Sequence, residues 1–121
     1  MAEKIGLKIY TPEKLALDKS VERVLLPDGR LNLTVIADRA PTSLILEAGV
    51  LQVMDAEGAV SEQYFVDTGV ADIAANTCTI STLHLITTGK ISCDEAREMA
   101  INEPQSAEFY NMIVHYLENY A

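Results

Sequence analysis

From Ile5 to Ile86 apolar and polar residues trade places over short stretches, and from Ser92 onward apolar residues return every three or four positions. The first pattern is that of half-buried strands and the second that of amphipathic helices. Ile5, Leu7 and Ile9 share one face of a strand, with Lys8 and Tyr10 on the other, and Thr11-Pro12-Glu13-Lys14 breaks it. Ser20 to Leu26 predicts a second strand, whose continuous Val24, Leu25 and Leu26 suit a strand covered on both faces. Pro27 ends it by removing a ladder donor.

The stretch from Val21 to Val53 carries the densest strand signal. Leu31, Leu33 and Val35 alternate with Asn32 and Thr34, between breaks at Pro27-Asp28-Gly29 and Arg39-Ala40-Pro41. Gly49 relieves a bend before Val50 to Asp55, and Ala56-Glu57-Gly58 turns that strand back into Ser61 to Val66. Val70 to Ala74 and Thr77 to Ile86 form a further pair joined at Ala75-Asn76. Eight or more short strands at this spacing predict a sandwich or barrel, and the apolar face of a meander needs a second layer.

The grammar changes at Thr87-Thr88-Gly89-Lys90. Ser92 with Glu95 is a capping-box pattern, and Ala96, Met99 and Ala100 fall on one side of a helix ending near Asn102, beyond which Pro104 forbids continuation. Phe109, Met112, Ile113, Tyr116, Leu117 and Tyr120 predict a second amphipathic helix. Helices below ~12 to 15 residues rarely hold alone in water, so these must pack on each other, on the sandwich or on a partner. A compact hairpin is the expectation, because Pro104 gives a sharp reversal and Ala96 and Ala100 offer a shallow groove for larger side chains.

Composition bounds the rest. With 121 residues, 49% apolar and 22% charged, the chain has material for one real core, and with 6% aromatic residues and no Trp that core is aliphatic. A formal charge of −9 argues against nucleic acid and anionic lipid surfaces as partners, and points to proteins or to small molecules that bring cations. No run approaches the ~20 apolar residues of a membrane span, and Met1-Ala2-Glu3-Lys4 opens without a signal peptide's apolar stretch. The expectation is a soluble protein that stays where it is made and does not insert into a membrane.

Candidate chemistry is sparse. Phosphate-loop, Gly-x-Ser-x-Gly and His-Glu-x-x-His signals are missing from the sequence, and no cofactor or metal is expected. Cys78 and Cys93 are too few for a disulfide framework and are read as buried or incidental thiols; His84 and His115 are read as structural or surface residues. His84, Asp67 and a serine could be written down as a triad, but a chain with several serines always permits that.

Several stretches together resemble a known family. Leu7-Lys8-Ile9-Tyr10-Thr11-Pro12-Glu13-Lys14, Val24-Leu25-Leu26-Pro27, Arg39-Ala40-Pro41, Gly49-Val50-Leu51-Gln52-Val53, Phe65-Val66-Asp67-Thr68-Gly69-Val70 and Thr77 to Ile80 occur in the order found in the epsilon subunit of F-type ATP synthase, whose mitochondrial counterpart is called delta. The resemblance runs from about Ile5 to Arg97. It implies a mainly β fold with a small α part: an N-terminal two-sheet β-sandwich of about ten strands over residues 1–88, then a short C-terminal helical hairpin over 89–121. It also implies a non-catalytic rotor subunit that binds the gamma subunit, seats the central stalk on the c-ring, and reaches the alpha and beta subunits through its helices. The location implied is the cytoplasmic face of the bacterial inner membrane, as part of a peripheral complex, or else the mitochondrial matrix side. The alternative is a stand-alone nucleotide-sensing or protein-binding sandwich.

The resemblance assigns residues as well. Arg39, Ala40 and Pro41 fall in the gamma-facing region, and Asp28, Gly29, Arg30, Leu31 and Asn32 fall in the loop that touches the c-ring. Where the family usually reads Pro-Gly-His-Ala-Pro this chain has Ala37-Asp38-Arg39-Ala40-Pro41, and a familiar Gly-Gly pair appears as Thr68-Gly69, so the resemblance is to a divergent member. Some bacterial members bind ATP through an apolar-Asp-x-x-Arg-Ala motif, and here the matching run is Cys93-Asp94-Glu95-Ala96-Arg97-Glu98. Asp94 and Arg97 match. Glu98 stands where a small residue belongs and would compete with phosphate for the guanidinium, so weak or no ATP binding is expected. Asp94 is equally accounted for by the helix dipole. The tail is short: a helix rises ~1.5 Å per residue, so about fifteen residues reach only ~22 Å, and deep insertion between catalytic subunits is not expected.

Overall fold

The computed structural model describes residues 4–27, 33–35 and 41–120. Among them ten strands form two five-stranded sheets. They are β1 (Ile5–Tyr10), β2 (Leu15–Val21), β3 (Arg23–Leu26), β4 (Leu33–Val35), β5 (Thr42–Leu46), β6 (Gly49–Met54), β7 (Val60–Val66), β8 (Gly69–Ala74), β9 (Thr77–Thr82) and β10 (Leu85–Thr87). Helix α1 (Cys93–Asn102) and helix α2 (Ala107–Tyr120) follow, with one 3₁₀ turn at Pro104–Ser106 between them. The first sheet has the order β2-β1-β9-β8-β5 and the second β10-β7-β6-β3-β4. Pairing is antiparallel throughout except between β1 and β9, which run parallel.

Two predicted strands are each split, for one shared reason. The run Ser20–Leu26 breaks at Glu22, with β2 starting earlier at Leu15 in the first sheet and β3 continuing in the second. Val21 and Val24 are both buried although three positions apart, which one uninterrupted strand cannot achieve because its side chains alternate faces. A bend at Glu22 lets the chain change sheets, so that both valines enter the interior from opposite walls. The run Thr77–Ile86 breaks likewise at Leu83-His84, because Thr82 points inward from the first sheet and Leu85 packs on the same core from the second. Leu25, expected to be covered on both faces, is only half-buried between fully buried Val24 and Leu26.

The interior is aliphatic, as composition predicts. Ile5, Leu7, Ile9, Leu46, Leu51, Ile73 and Ile80 lie between the sheets with Val24, Leu26, Val53 and Val66, and Tyr64 joins them. Turns follow local chemistry. Ala75 and Asn76 both take positive φ, at 51° and 59°, the two-residue geometry that matches strand twist. In the β6–β7 turn one Asp55 carboxylate oxygen accepts the N–H groups of Glu57 and Ala59, each at 2.9 Å, while Gly58 takes φ +88°.

The helical pair is built as its sequence signals require. Ser92 Oγ accepts the Glu95 N–H at 3.1 Å and the Glu95 carboxylate accepts the Ser92 N–H at 3.2 Å, completing the capping box. Phe109 and Ile113 are fully buried and Met112, Tyr116 and Leu117 partly so; the Tyr120 side chain falls outside the described residues. These helices cover the outer face of the second sheet, where Val50, Phe65 and Ile86 form one cross-strand row on β6, β7 and β10. Phe65 meets Tyr116 edge to face at 5.4 Å, and the Tyr116 hydroxyl donates to Gln63 at 3.1 Å. The seam and the sandwich interior are therefore two separate apolar clusters.

Candidate functional site

Among the described residues no helix packs on the outer face of the first sheet, and its register places the exposed apolar residues of four strands in one line. Leu15 pairs with Tyr10, Tyr10 with Ser81, Ser81 with Val70 and Val70 with Ile45. All except Ser81 are large and exposed, Ile45 to 75%. The neighbouring row is polar: Asp18, Lys8, Thr79, Asp72 and Ser43 stand in register, with the Ser43 hydroxyl donating to Asp72. An apolar line rimmed by a polar one has the make-up of a protein-contact surface.

An apolar cleft continues this line at the end of the sheet, between Tyr10 and Pro12 on one side and Gly69, Thr82 and Leu83 on the other. Leu83, 56% exposed, stands at its lip. Gly69 is required here, because a Cβ at that position would lie 2.0 Å from the Ser81 carbonyl oxygen and force β8 away from β9.

Behind the cleft lies a polar cluster. Asp67, buried immediately after β7, holds His84 Nδ1 at 2.9 Å through one carboxylate oxygen and accepts the Thr68 N–H at 2.7 Å through the other. The imidazole stacks on Phe109 of α2, with centroids 5.0 Å apart and planes 13° from parallel, and lies 5.8 Å from Tyr110. Burial, reinforced by Glu103 and Asp67, raises the Tyr110 phenol above its usual range. The hydroxyl beside the pair belongs to Thr82 and donates to the carbonyls of Asp67 and Thr68, at 2.9 and 3.2 Å. Asp67 and His84 thus come together as a written triad would ask, yet the hydroxyl is spent on backbone and an aromatic ring covers the imidazole. The arrangement clasps sandwich to helix.

The residues singled out in the sequence do not gather in one place. Arg39 and Ala40 lie outside the described residues, as do Asp28, Gly29, Arg30, Leu31 and Asn32; Pro41 is exposed immediately before β5. Asp94 and Arg97 sit on the outer side of α1, where Arg97 contacts Asp94 at 3.3 Å and Glu118 of α2 at 2.7 Å. A triphosphate would have to displace one carboxylate and tolerate the other. Cys78 is buried, which pushes its thiol up to about 11, and Cys93 is half-buried at the start of α1. Among the described residues no three His, Cys, Asp or Glu side chains cluster as a metal site, and no helix is long and apolar enough to cross a membrane.

Two apolar clusters in a ten-strand sandwich with an appended helix pair fit one known architecture, and residues 4–88 match the family model for the ATP synthase delta/epsilon chain β-sandwich domain. The chain belongs to that family. Among its relatives, the ATP synthase epsilon chain of Rhizobium johnstonii is 31% identical over 113 residues, covering 91% of this chain and 83% of that one. The epsilon chain of Gluconacetobacter diazotrophicus is 34% identical over 76 residues, covering 63% of this chain but 53% of its own length. The chain thus spans about half of that delta/epsilon relative. In fold it is similar to a chain of the Euglena gracilis mitochondrial ATP synthase OSCP/F1/c-ring structure, with TM-score 0.67, 19% identity, and coverage of 96% of this chain and 77% of that one. A chain of the Tetrahymena thermophila mitochondrial ATP synthase central stalk and c-ring gives TM-score 0.61 at 17% identity, covering 93% and 98%.

Proposed function

We propose that this protein is a non-catalytic central-stalk (rotor) subunit of F-type ATP synthase, binding gamma and contacting the c-ring to couple proton movement to ATP synthesis. The observation that carries this reading is the family match over residues 4–88, which spans the sandwich with its open apolar row. Gamma docks on the first sheet. The helices already take the outer face of the second sheet over β10, β7 and β6, and Pro41, the end of the gamma-facing run, leads directly into β5, whose Ile45 closes the row. Asp28 to Asn32 meet the c-ring, and the helical hairpin faces the alpha and beta subunits. The same reading divides the chain into a sandwich over 1–88 and a hairpin over 89–121, supported by the two separate clusters. It places the subunit in a peripheral complex on the F1 side of the membrane, and the bacterial relatives favour the cytoplasmic face of an inner membrane.

The deciding experiment is co-purification of the full chain with gamma and the c-ring from the same source. Wild type should retain gamma, Ile45→Asp should weaken binding at least about tenfold by putting a charge in a desolvated contact, and Val60→Asp, an exposed apolar position on the second sheet, should not. Failure of wild type to hold gamma overturns the reading. Crosslinks from Arg30→Cys should reach the c subunit in assembled enzyme; crosslinks confined to alpha or beta would reverse the orientation.

A further inference from the structure

The crossover between β9 and β10 is two residues long, and its side chains serve opposite sides of the molecule. Leu83 stands exposed at the lip of the cleft beside Tyr10 and Pro12. His84, the next residue, turns the other way to lie flat on Phe109 of α2. The turn from β7 to β8 is divided in the same manner: Asp67 grips His84, while Thr68 and Gly69 line the cleft. The two segments are tied together, since the Asp67 N–H donates to the His84 carbonyl at 3.2 Å and the Thr82 hydroxyl donates to the carbonyls of Asp67 and Thr68. Whatever fixes Leu83 also fixes the peptide that presents His84.

We propose that gamma, by placing an apolar side chain in the Tyr10–Leu83 cleft, tightens the docking of the helical pair through the Leu83–His84 crossover. The proposal rests on the rotor reading given above. The cleft suits such a side chain because its walls are Tyr10, Pro12 and Leu83 and because it continues the open row. The helices can respond because their seam is a separate cluster from the sandwich interior, so docking can loosen without opening the core. The sign follows from shared ordering. A partner that immobilises the crossover has already met part of the entropy cost of holding His84 against Phe109, and the second event then costs less. Linkage makes the effect reciprocal: loosening the clasp on the helix side weakens gamma binding at a surface His84 does not form.

The test reads backbone hydrogen exchange of α2 in the full chain, with and without saturating gamma, in wild type and in His84→Ala. In wild type, gamma should raise α2 protection about fivefold or more, the usual scale of coupling between sites. In His84→Ala the sandwich strands β1 and β9 should keep their protection, the gamma-induced rise in α2 should vanish, and gamma affinity should fall by the same factor. Gamma bound to wild type with α2 protection unchanged would overturn this coupling and leave the rotor reading standing. A rise that persists in His84→Ala would mean gamma touches α2 directly, and would also overturn it. Absence of gamma binding to wild type would remove both.

Discussion

Replacing Ile113 with aspartate tests whether the helical pair and the sandwich are two cooperative units. Ile113 is fully buried in the seam, with Phe65, Ala96, Phe109 and Tyr110. Losing its side chain from a packed site costs ~2 to 5 kcal/mol, and an unpaired carboxylate there adds several more unless it takes up a proton. Against this, each of Phe65, Phe109, Tyr110 and Ile113 contributes ~1.5 to 3 kcal/mol on burial. That gain is opposed by the entropy of ordering two helices too short to hold alone in water, so their docking is marginal. The net docking energy is smaller than the perturbation, so the helices should leave. The interior between the sheets shares no residue with the seam and should survive. Hydrogen exchange resolved by peptide should therefore show α1 and α2 nearly unprotected in Ile113→Asp while β1 and β9 remain protected, with lower helical dichroism and a lower first melting transition. Loss of β1 and β9 protection in step with the helices would refute the separation of the two units. Unchanged helix protection would show that Ile113 does not anchor the seam.

Three further outcomes are expected. Gly69→Ala should destabilise by more than ~2 kcal/mol, since a Cβ 2.0 Å from the Ser81 carbonyl is an overpacking that only backbone movement can relieve; chemical denaturation would show it, and a midpoint equal to wild type would remove the requirement for glycine. Stability should fall as pH rises from about 9 toward about 11, because the buried Cys78 thiol stays neutral in the fold while the unfolded thiol, at its ordinary value of 9.0, releases its proton first. Cys78→Val should flatten that slope, and an unchanged slope would assign it to other groups, with Tyr64 and Tyr110, both raised by burial, next in line. Calorimetry on the isolated protein should show weak or no ATP binding, since Arg97 already faces Asp94 and Glu118; micromolar binding abolished by Arg97→Ala would contradict this.

Local signals carried most of the architecture. Alternation located β1, β6 and β7, the turn at Ala75-Asn76 located β8, and the capping box and apolar spacing located both helices, because each is decided within a few residues. Leu15 to Val21 escaped notice because Leu15, Ala16 and Leu17 do not alternate with polar residues: β2 is an edge strand with an irregular register opposite Tyr10. The splits at Glu22 and at Leu83-His84 escaped because a change of sheet shows only as a parity shift in buried positions, which requires knowing what is buried. The open row was illegible for a different reason. Leu15, Tyr10, Val70 and Ile45 are scattered along the chain, and only the pairing of five strands lines them up. The clasp of Asp67 and His84 on Phe109 likewise spans strand, crossover and helix, so sequence spacing holds no trace of it.

The parallel pairing of β1 with β9 bears on how the protein is made. Strand β1 takes its place between β2 and β9, and Gly6 to Tyr10 cannot find their partners Thr77 to Ser81 until the long stretch between them has been synthesised. The β1–β2 hairpin can form early, but Ile5, Leu7 and Ile9 then have no opposing wall, and one flank of β1 offers unpaired N–H and C=O groups to any passing strand. Contacts this distant along the chain slow folding and prolong the exposure of sticky intermediates. The nascent chain is thus most vulnerable to aggregation and most dependent on chaperones during translation of the stretch between β2 and β9, and synonymous changes that slow the ribosome there should lower soluble yield without altering the finished subunit.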